Sequence, residues 1–155
     1  MQSFINLRKA LATISLVNSC DLEKIATFIL GQKQFYELII GMKTTDEIYQ
    51  TIADNIKAVI GEEWAYAELN IETLGTMVSF IGEYMNANKE KKQIDVDEFD
   101  FQLTFDILEL HRISTEDGIN KWNKATVHLT SEGNFNMEFI WDQQFYDEIY
   151  RLSKE

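Results

Sequence analysis

The sequence predicts an α+β fold in which helices pack on one face of an antiparallel sheet of about four strands, preceded by an N-terminal helical extension. Several short segments alternate apolar and polar residues, which is the period of a strand with one buried face. Other segments repeat apolar residues at the spacing of an amphipathic helix. Short turns join the alternating segments, so neighbouring strands must run in opposite directions.

The clearest pair of strands lies between Lys124 and Trp141. The second arm carries large apolar residues at every second position, which predicts one buried face made by Phe135, Met137, Phe139 and Trp141. Between the arms, Gly133 adopts positive φ without penalty and Asn134 tolerates it, so the chain can reverse there. A lone hairpin is marginal in water, so this one needs further strands beside it.

Two more strands are predicted at residues 64–71 and 76–84, joined by a turn at residues 72–75. Apolar residues occur on both faces of these two strands, so the alternation leaves open which side is buried. The following residues 86–93 are polar and positively charged, and we expect them to form a mobile loop.

Helices are predicted before, between and after these strands in the chain. Thr44 and Glu47 have the spacing of a capping box, and the helix they begin ends at Gly61. A second helix is predicted from about residue 99, with Phe101, Phe105, Leu108 and Ile113 inward and with Asp106, Glu109 and Arg112 outward. A short C-terminal helix has the stripe Phe145, Ile149 and Leu152. Earlier helical stripes place residues 1–43 in the extension and residues 44–155 in one compact α+β domain.

The charge, the apolar runs and the cysteine content of the chain limit which classes of function are compatible with it. A net charge of −12 argues against direct nucleic-acid binding, which needs basic surface. The acidity fits either simple solubility or a surface complementary to a basic protein. No apolar run is long enough to span a bilayer, and the single Cys20 excludes an internal disulfide, so we expect a cytosolic protein.

No catalytic or metal-binding motif is evident. The chain has no glycine-rich phosphate loop, no G-x-S-x-G and no H-E-x-x-H. His111 and His128 are isolated in sequence, and the acidic run from Asp95 to Asp100 lacks the glycine and the final glutamate of a calcium loop. We therefore predict no catalytic residue, no metal and no cofactor.

A longer pattern runs through the second part of the chain. An amphipathic helix, DEIYQTIADNIKAVIG, is followed at once by EEWAYAELNIE and then by the aromatic strand MVSFIGEY. The hairpin WNKATVHLTSEGNFNMEFIWD closes the pattern. From Thr45 onward the chain resembles the YezG-like immunity protein family, and the positions that match its hairpin are Trp122, Gly133, Phe135, Phe139, Trp141 and Asp142. Residues 1–43 depart from that pattern.

The resemblance implies a bacterial antidote that is not an enzyme. Such proteins bind and neutralise the toxic domain of a polymorphic toxin, often a nuclease, in systems that include contact-dependent growth inhibition. Nuclease domains carry basic grooves, so we expect the densest acidic run and its helical neighbours to contact the toxin: Asp95, Asp97, Glu98, Asp100, Asp106 and Glu109. The alternative is that these carboxylates are solvated and merely favour a helix N-terminus.

Two other functions remain open at this point. A small-ligand-binding or enzymatic α+β domain would have a deep pocket with converging polar groups of perturbed pKa. A structural adaptor would associate through its helical N-terminus, residues 4–40. The sequence is compatible with a monomer or a homodimer.

Overall fold

A computed structural model describes residue 31 and residues 43–155 of the protein. The chain divides into two compact units, Met1–Met42 and Lys43–Glu155, and the account below concerns the second. The helices predicted for residues 1–43 fall almost wholly outside the described residues. In the described part, no helix is both long enough and apolar enough to cross a bilayer.

The second unit contains three α-helices, one short 3-10 turn and five strands. In chain order these are α1 (Thr45–Val59), β1 (Trp64–Thr73), β2 (Val78–Asn86), β3 (Lys91–Gln93), the 3-10 turn (Val96–Glu98), α2 (Gln102–Thr115), β4 (Lys124–Thr130), β5 (Phe135–Ile140) and α3 (Gln143–Leu152). The strands form one sheet in the order β3-β2-β1-β4-β5, and every neighbouring pair is antiparallel. The α+β prediction is confirmed.

The sheet has one strand more than the sequence predicted. Residues 91–93, expected to lie in a loop, form β3 and pair with β2, so that Gln93 opposes Glu83. A tight turn precedes them, in which Lys89 has a φ of +62° and the Asn86 side chain accepts a hydrogen bond from Glu90 N–H at 2.9 Å. The strand Lys-Lys-Gln has no apolar side chain, and main-chain pairing with β2 holds it in place. Apolar alternation therefore could not predict it.

The core lies between one face of the sheet and two helices. Strands β1 and β4 bury every second residue towards the helices, with Leu69, Ile71, Val127 and Leu129 at most 1% exposed. Helix α1 contributes Ile48, Ile52 and Ile56, and helix α2 contributes Leu103, Ile107 and Leu110. The predicted capping box of α1 is present: Thr44 Oγ1 accepts from Glu47 N–H, and Glu47 Oε2 accepts from Thr44 N–H.

The predicted hairpin forms, with Gly133 at a φ of +97° in its turn. The alternation placed Phe139 and Trp141 on the buried face, but they are 39% and 38% exposed, respectively. Trp141 lies just beyond the end of β5. The strand ends because the Asn123 side chain holds the next residue, accepting from Asp142 N–H at 2.7 Å and donating to Asp142 O at 2.8 Å. The chain then turns into α3.

The predicted inward face of α2 was wrong. Phe101, Phe105 and Ile113 are 73%, 51% and 36% exposed, respectively. The aliphatic stripe Leu103, Ile107 and Leu110 faces the sheet instead. Both stripes have helical spacing, so periodicity alone could not choose between them. The compact aliphatic stripe occupies the interior, and the aromatic stripe is left at the surface.

Candidate functional site

The acidic run predicted to contact a partner connects β3 to α2. Apolar residues within it point inward: Ile94 is 5% exposed, and Val96 and Phe99 pack against the core. The ring of Phe99 meets that of Phe80 edge to face, with 5.6 Å between centroids. These inward residues hold the segment against the sheet.

The position of Ile94 depends on a glycine in β2. Ile94 N–H donates to Gly82 O at 2.8 Å. A Cβ at position 82 would lie 2.9 Å from Ile94 Cδ1 and 3.1 Å from Glu68 O. Such distances are too short for an ordinary contact, so the absence of a side chain at Gly82 lets the segment lie this close.

The acidic residues alternate with these apolar ones and point to solvent. The backbone forms a 3-10 turn in which Asp95 O accepts from Glu98 N–H at 3.2 Å. The side chains of Asp95, Asp97 and Glu98 are exposed. The segment therefore displays carboxylates on a backbone that is fixed by its buried neighbours.

Asp100 joins this segment to two helices. Its backbone N–H donates to Asn55 Oδ1 on α1 at 2.8 Å, and its carboxylate accepts from Gln102 N–H at 3.0 Å. The second bond satisfies a backbone donor in the first turn of α2, where a helix has no partner of its own. Asp100 is exposed and holds the start of α2 in place.

Two exposed aromatic rings lie next to these carboxylates. Phe101 and Phe105 are one helical turn apart, and their rings meet edge to face at an interplanar angle of 89° with 5.3 Å between centroids. We call Asp95, Asp97, Glu98, Asp100, Phe101 and Phe105 together the acidic–aromatic surface. It combines negative charge with exposed apolar rings.

The other two predicted contact residues lie elsewhere. Asp106 was expected on the outer face of α2 but is 6% exposed, because its carboxylate pairs with Lys43 Nζ at 2.6 Å. Glu109 is half-buried and is bound by Arg112 through two hydrogen bonds of 2.7 and 3.0 Å. The structure thus brings four of the six predicted residues together at the surface. Of the other two, Asp106 pairs with Lys43 and Glu109 pairs with Arg112.

The described part of the chain also matches a known protein family. The profile of the family described as "Immunity protein YezG-like" matches residues 45–155. The chain belongs to the YezG-like immunity protein family. Membership implies an immunity role, in which the protein binds a cognate toxin protein and inhibits it. No curated protein matches the chain.

The residues that carry the YezG-like pattern build the scaffold. Trp122 is 2% exposed, and its indole N–H donates to Ser114 Oγ on α2 at 2.7 Å. Asp142 begins α3 by accepting from Phe145 N–H at 3.0 Å, a bond that is the main cause of its lowered pKa. Trp122 and Asp142 therefore help to hold the fold together, whereas Phe139 and Trp141 of the same pattern are exposed.

The sequence missed the two phenylalanines of the acidic–aromatic surface. The pattern that could have identified them is the second stripe of α2, Leu103, Ile107 and Leu110, which has full helical spacing. A helix on the surface of a small domain buries one stripe, so one of two competing stripes must be exposed. Recognising the competition would have left Phe101 and Phe105 as candidates for partner contact.

A second polar cluster lies on the face of the sheet opposite α1 and α2. The Tyr66 hydroxyl hydrogen-bonds to His128 Nδ1 and lies 3.3 Å from Glu68 Oε2. Partial burial, and then the charge of Glu68, raise the pKa of Tyr66. His128 is isolated in the sequence, but the pairing of β1 with β4 brings it opposite Glu68.

An open depression lies where β1 begins. It has a volume of about 850 Å³, is open to solvent, and includes Glu62, Trp64 and Ser131 in its lining. The Glu62 carboxylate accepts from Lys92 Nζ and from the Tyr84 hydroxyl, each at 2.7 Å, and the lysine is the main cause of its lowered pKa. Among residues 43–155, no three His, Cys, Asp or Glu side chains are placed to hold a metal ion.

Proposed function

We propose that this protein acts in the cytosol as the antidote to a polymorphic toxin whose toxic domain is a nuclease. It neutralises that domain by covering the basic groove in which the toxin binds nucleic acid. The acidic–aromatic surface makes the contact, so that carboxylates take the place of phosphates in the groove. This proposal gives a mechanism to the immunity role that family membership implies.

The observation that carries the proposal is the exposed pair Phe101 and Phe105 beside outward carboxylates. Ile94, Val96 and Phe99 fix the backbone that presents those carboxylates. A preformed surface loses little conformational freedom on binding, and this raises affinity for a given set of contacts. The same surface therefore offers charge, apolar area and rigidity together.

Charge and apolar area act on different steps of binding. The net charge of −12 attracts a basic domain over long distances and speeds its association. The two rings act after contact, because buried aromatic side chains at the centre of an interface slow dissociation. Loss of carboxylates should thus change the association rate, and loss of the rings should change the dissociation rate.

The test is the binding of the full chain to the toxin domain encoded beside it, measured by surface plasmon resonance at several salt concentrations. The variant Asp97→Lys/Glu98→Lys reverses two exposed charges and spares Asp100, which holds the start of α2. We expect its association rate at low salt to fall about tenfold and to depend less on salt.

A matched control carries the same change of charge on another part of the surface. Glu132→Lys/Glu148→Lys reverses two exposed carboxylates, one in the β4–β5 turn and one on α3. A general effect of net charge would slow association equally in both variants. If the two variants associate at the same rate, the acidic–aromatic surface is not the contact.

The toxin's activity needs a separate measurement. Purified toxin domain is incubated with DNA and with RNA while the full chain is added in increasing amounts. We expect cleavage to stop at a fixed molar ratio of protein to toxin, as it does when an inhibitor covers the active groove. A toxin that cleaves neither nucleic acid would disprove the nuclease target and leave the binding experiment to stand alone.

A further inference from the structure

The two edges of the sheet differ in a way that bears on association. The β3 edge has three residues and carries Lys91 and Lys92, and short lysine-bearing edges resist pairing with other chains. The β5 edge has six residues, FNMEFI, with Glu138 as its single charge. It has no lysine and no proline, two of the residues that commonly protect an exposed edge.

The register shows which main-chain groups of β5 face outward. Thr130 N–H donates to Asn134 O at 3.0 Å, and the same register continues through Thr126 opposite Glu138. Hydrogen-bonded pairs alternate along an antiparallel ladder, so Asn136 and Glu138 direct their main-chain groups to β4. Those of Phe135, Met137 and Phe139 point to the free side, where no strand of the described residues pairs with them.

We propose that β5 is a dimerisation edge, which pairs antiparallel with β5 of a second copy of this chain about a two-fold axis through Met137. This register makes the strand complementary to itself. Phe135 opposes Phe139 of the second copy on the helix-covered face, and Asn136 opposes Glu138 of the second copy on the other face. All three residues with outward main-chain groups gain partners.

The alternative register centred on Glu138 is disfavoured, because it places the two Glu138 carboxylates directly opposite each other. In the proposed register, directly opposed residues share a face, so both copies keep their helices on the same side of one continuous sheet. Lys124 Nζ lies 5.0 Å from the Phe145 ring centroid, which places the first turn of α3 near β4. The acidic–aromatic surface follows β3, at the opposite edge of each copy.

The test is sedimentation of the full chain from about 1 to about 200 µM, with a series of substitutions on the exposed face of β5. We expect a dimer of twice 18.1 kDa at high concentration. Asn136→Glu, which sets carboxylates against Glu138 in both symmetric contacts, should weaken the dimer about tenfold. Asn136→Lys should strengthen it several-fold, and Asn136→Glu/Glu138→Lys should return it close to the original strength.

Asn136 and Glu138 are exposed, so these variants should all fold, which circular dichroism checks. Slower hydrogen exchange at the amides of Phe135, Met137 and Phe139 at high concentration would support the pairing directly. A protein that stays monomeric throughout overturns the proposal, as does a dimer that all three variants leave unchanged. Slower exchange at these amides only when the toxin domain is added to a monomer would assign β5 to the toxin instead, and also overturns it.

Discussion

Lys43 Nζ lies 2.6 Å from Asp106 Oδ2, and this contact joins the residue before the α1 cap to the middle of α2. The Asp106 side chain is 7% exposed and that of Lys43 is 32% exposed. Lys43 also donates to Thr51 Oγ1 at 3.2 Å. A carboxylate that is nearly buried needs its partner, because removal of one member leaves an uncompensated charge in a poorly solvated site.

Lys43→Ala should therefore destabilise the domain by about 1 to 2 kcal/mol, less than for a fully buried pair because Lys43 retains solvent contact. Urea unfolding followed by tryptophan fluorescence measures this, since all three tryptophans lie within residues 64–141. Lys57→Ala, at an exposed position of α1, is the control and should change stability by less than about 0.5 kcal/mol. Equal effects of the two substitutions would contradict the role of the ion pair.

The close contact at Gly82 gives a second prediction. Gly82→Ala forces Ile94 to move and should destabilise the domain by about 1 to 3 kcal/mol. Gly61→Ala is the matched control, because a Cβ there meets nothing within 4 Å. Ile94→Val removes the nearest methyl group, so the double variant Gly82→Ala/Ile94→Val should be more stable than the sum of the two single effects predicts. Additive effects would show that Ile94 is not the obstacle.

What the sequence predicted correctly is local. The Thr44–Glu47 capping box and the β4–β5 hairpin depend on residues a few positions apart, so their patterns are complete in the sequence itself. The YezG-like pattern is similar, since its tryptophan and turn glycine serve the hairpin and the packing around it. These features also fixed the fold class.

What the sequence failed to predict depends on distant partners. Asp106 is buried because Lys43 reaches it across 63 positions, and an acidic residue in a helix gives no sign of such a partner. Strand β3 forms because its main chain pairs with the edge of β2. Lys91 and Gln93 have polar side chains, so no apolar pattern marks them as a strand. The choice between the two stripes of α2 depends on the shape of the sheet beneath them, so the exposure of Phe101 could not be predicted either.

Helix α3 should be sensitive to acid through Asp142. Its carboxylate accepts from Phe145 N–H and pairs with Lys124 Nζ, each at 3.0 Å, and these contacts lower its pKa in that order of importance. A lowered pKa means that the folded protein favours the ionised carboxylate. The contribution to stability is therefore present above the unfolded pKa, about 4, and is lost as pH falls through the lower folded pKa.

Asn at position 142 cannot ionise, so Asp142→Asn should be less stable than the original protein at pH 7. The difference should shrink as pH falls below about 4 and vanish once Asp142 is protonated in the folded protein. Urea unfolding at a series of pH values, followed by tryptophan fluorescence, measures it. The control is Asp147→Asn on the same helix, whose carboxylate accepts from the Gln143 side chain only. A difference that is independent of pH would assign the effect to something other than ionisation.

The sequence predicted that Phe101 and Phe105 of α2 point inward, whereas the structure exposes both rings. If Phe101 and Phe105 belong to a binding surface, Phe101→Ser should cost at most about 1 kcal/mol of stability, mainly through loss of the edge-to-face contact. Ile107→Ala, in the buried stripe, should cost about 2 to 5 kcal/mol.

Phe101→Ser should instead raise the dissociation rate of the toxin complex about tenfold and leave association nearly unchanged, because the ring acts only after contact. Urea unfolding and surface plasmon resonance on the same two variants give both quantities. A large loss of stability in Phe101→Ser would mean that the aromatic stripe is core, as periodicity first suggested. Full stability with unchanged dissociation would leave the rings exposed but place the toxin on another face of the domain.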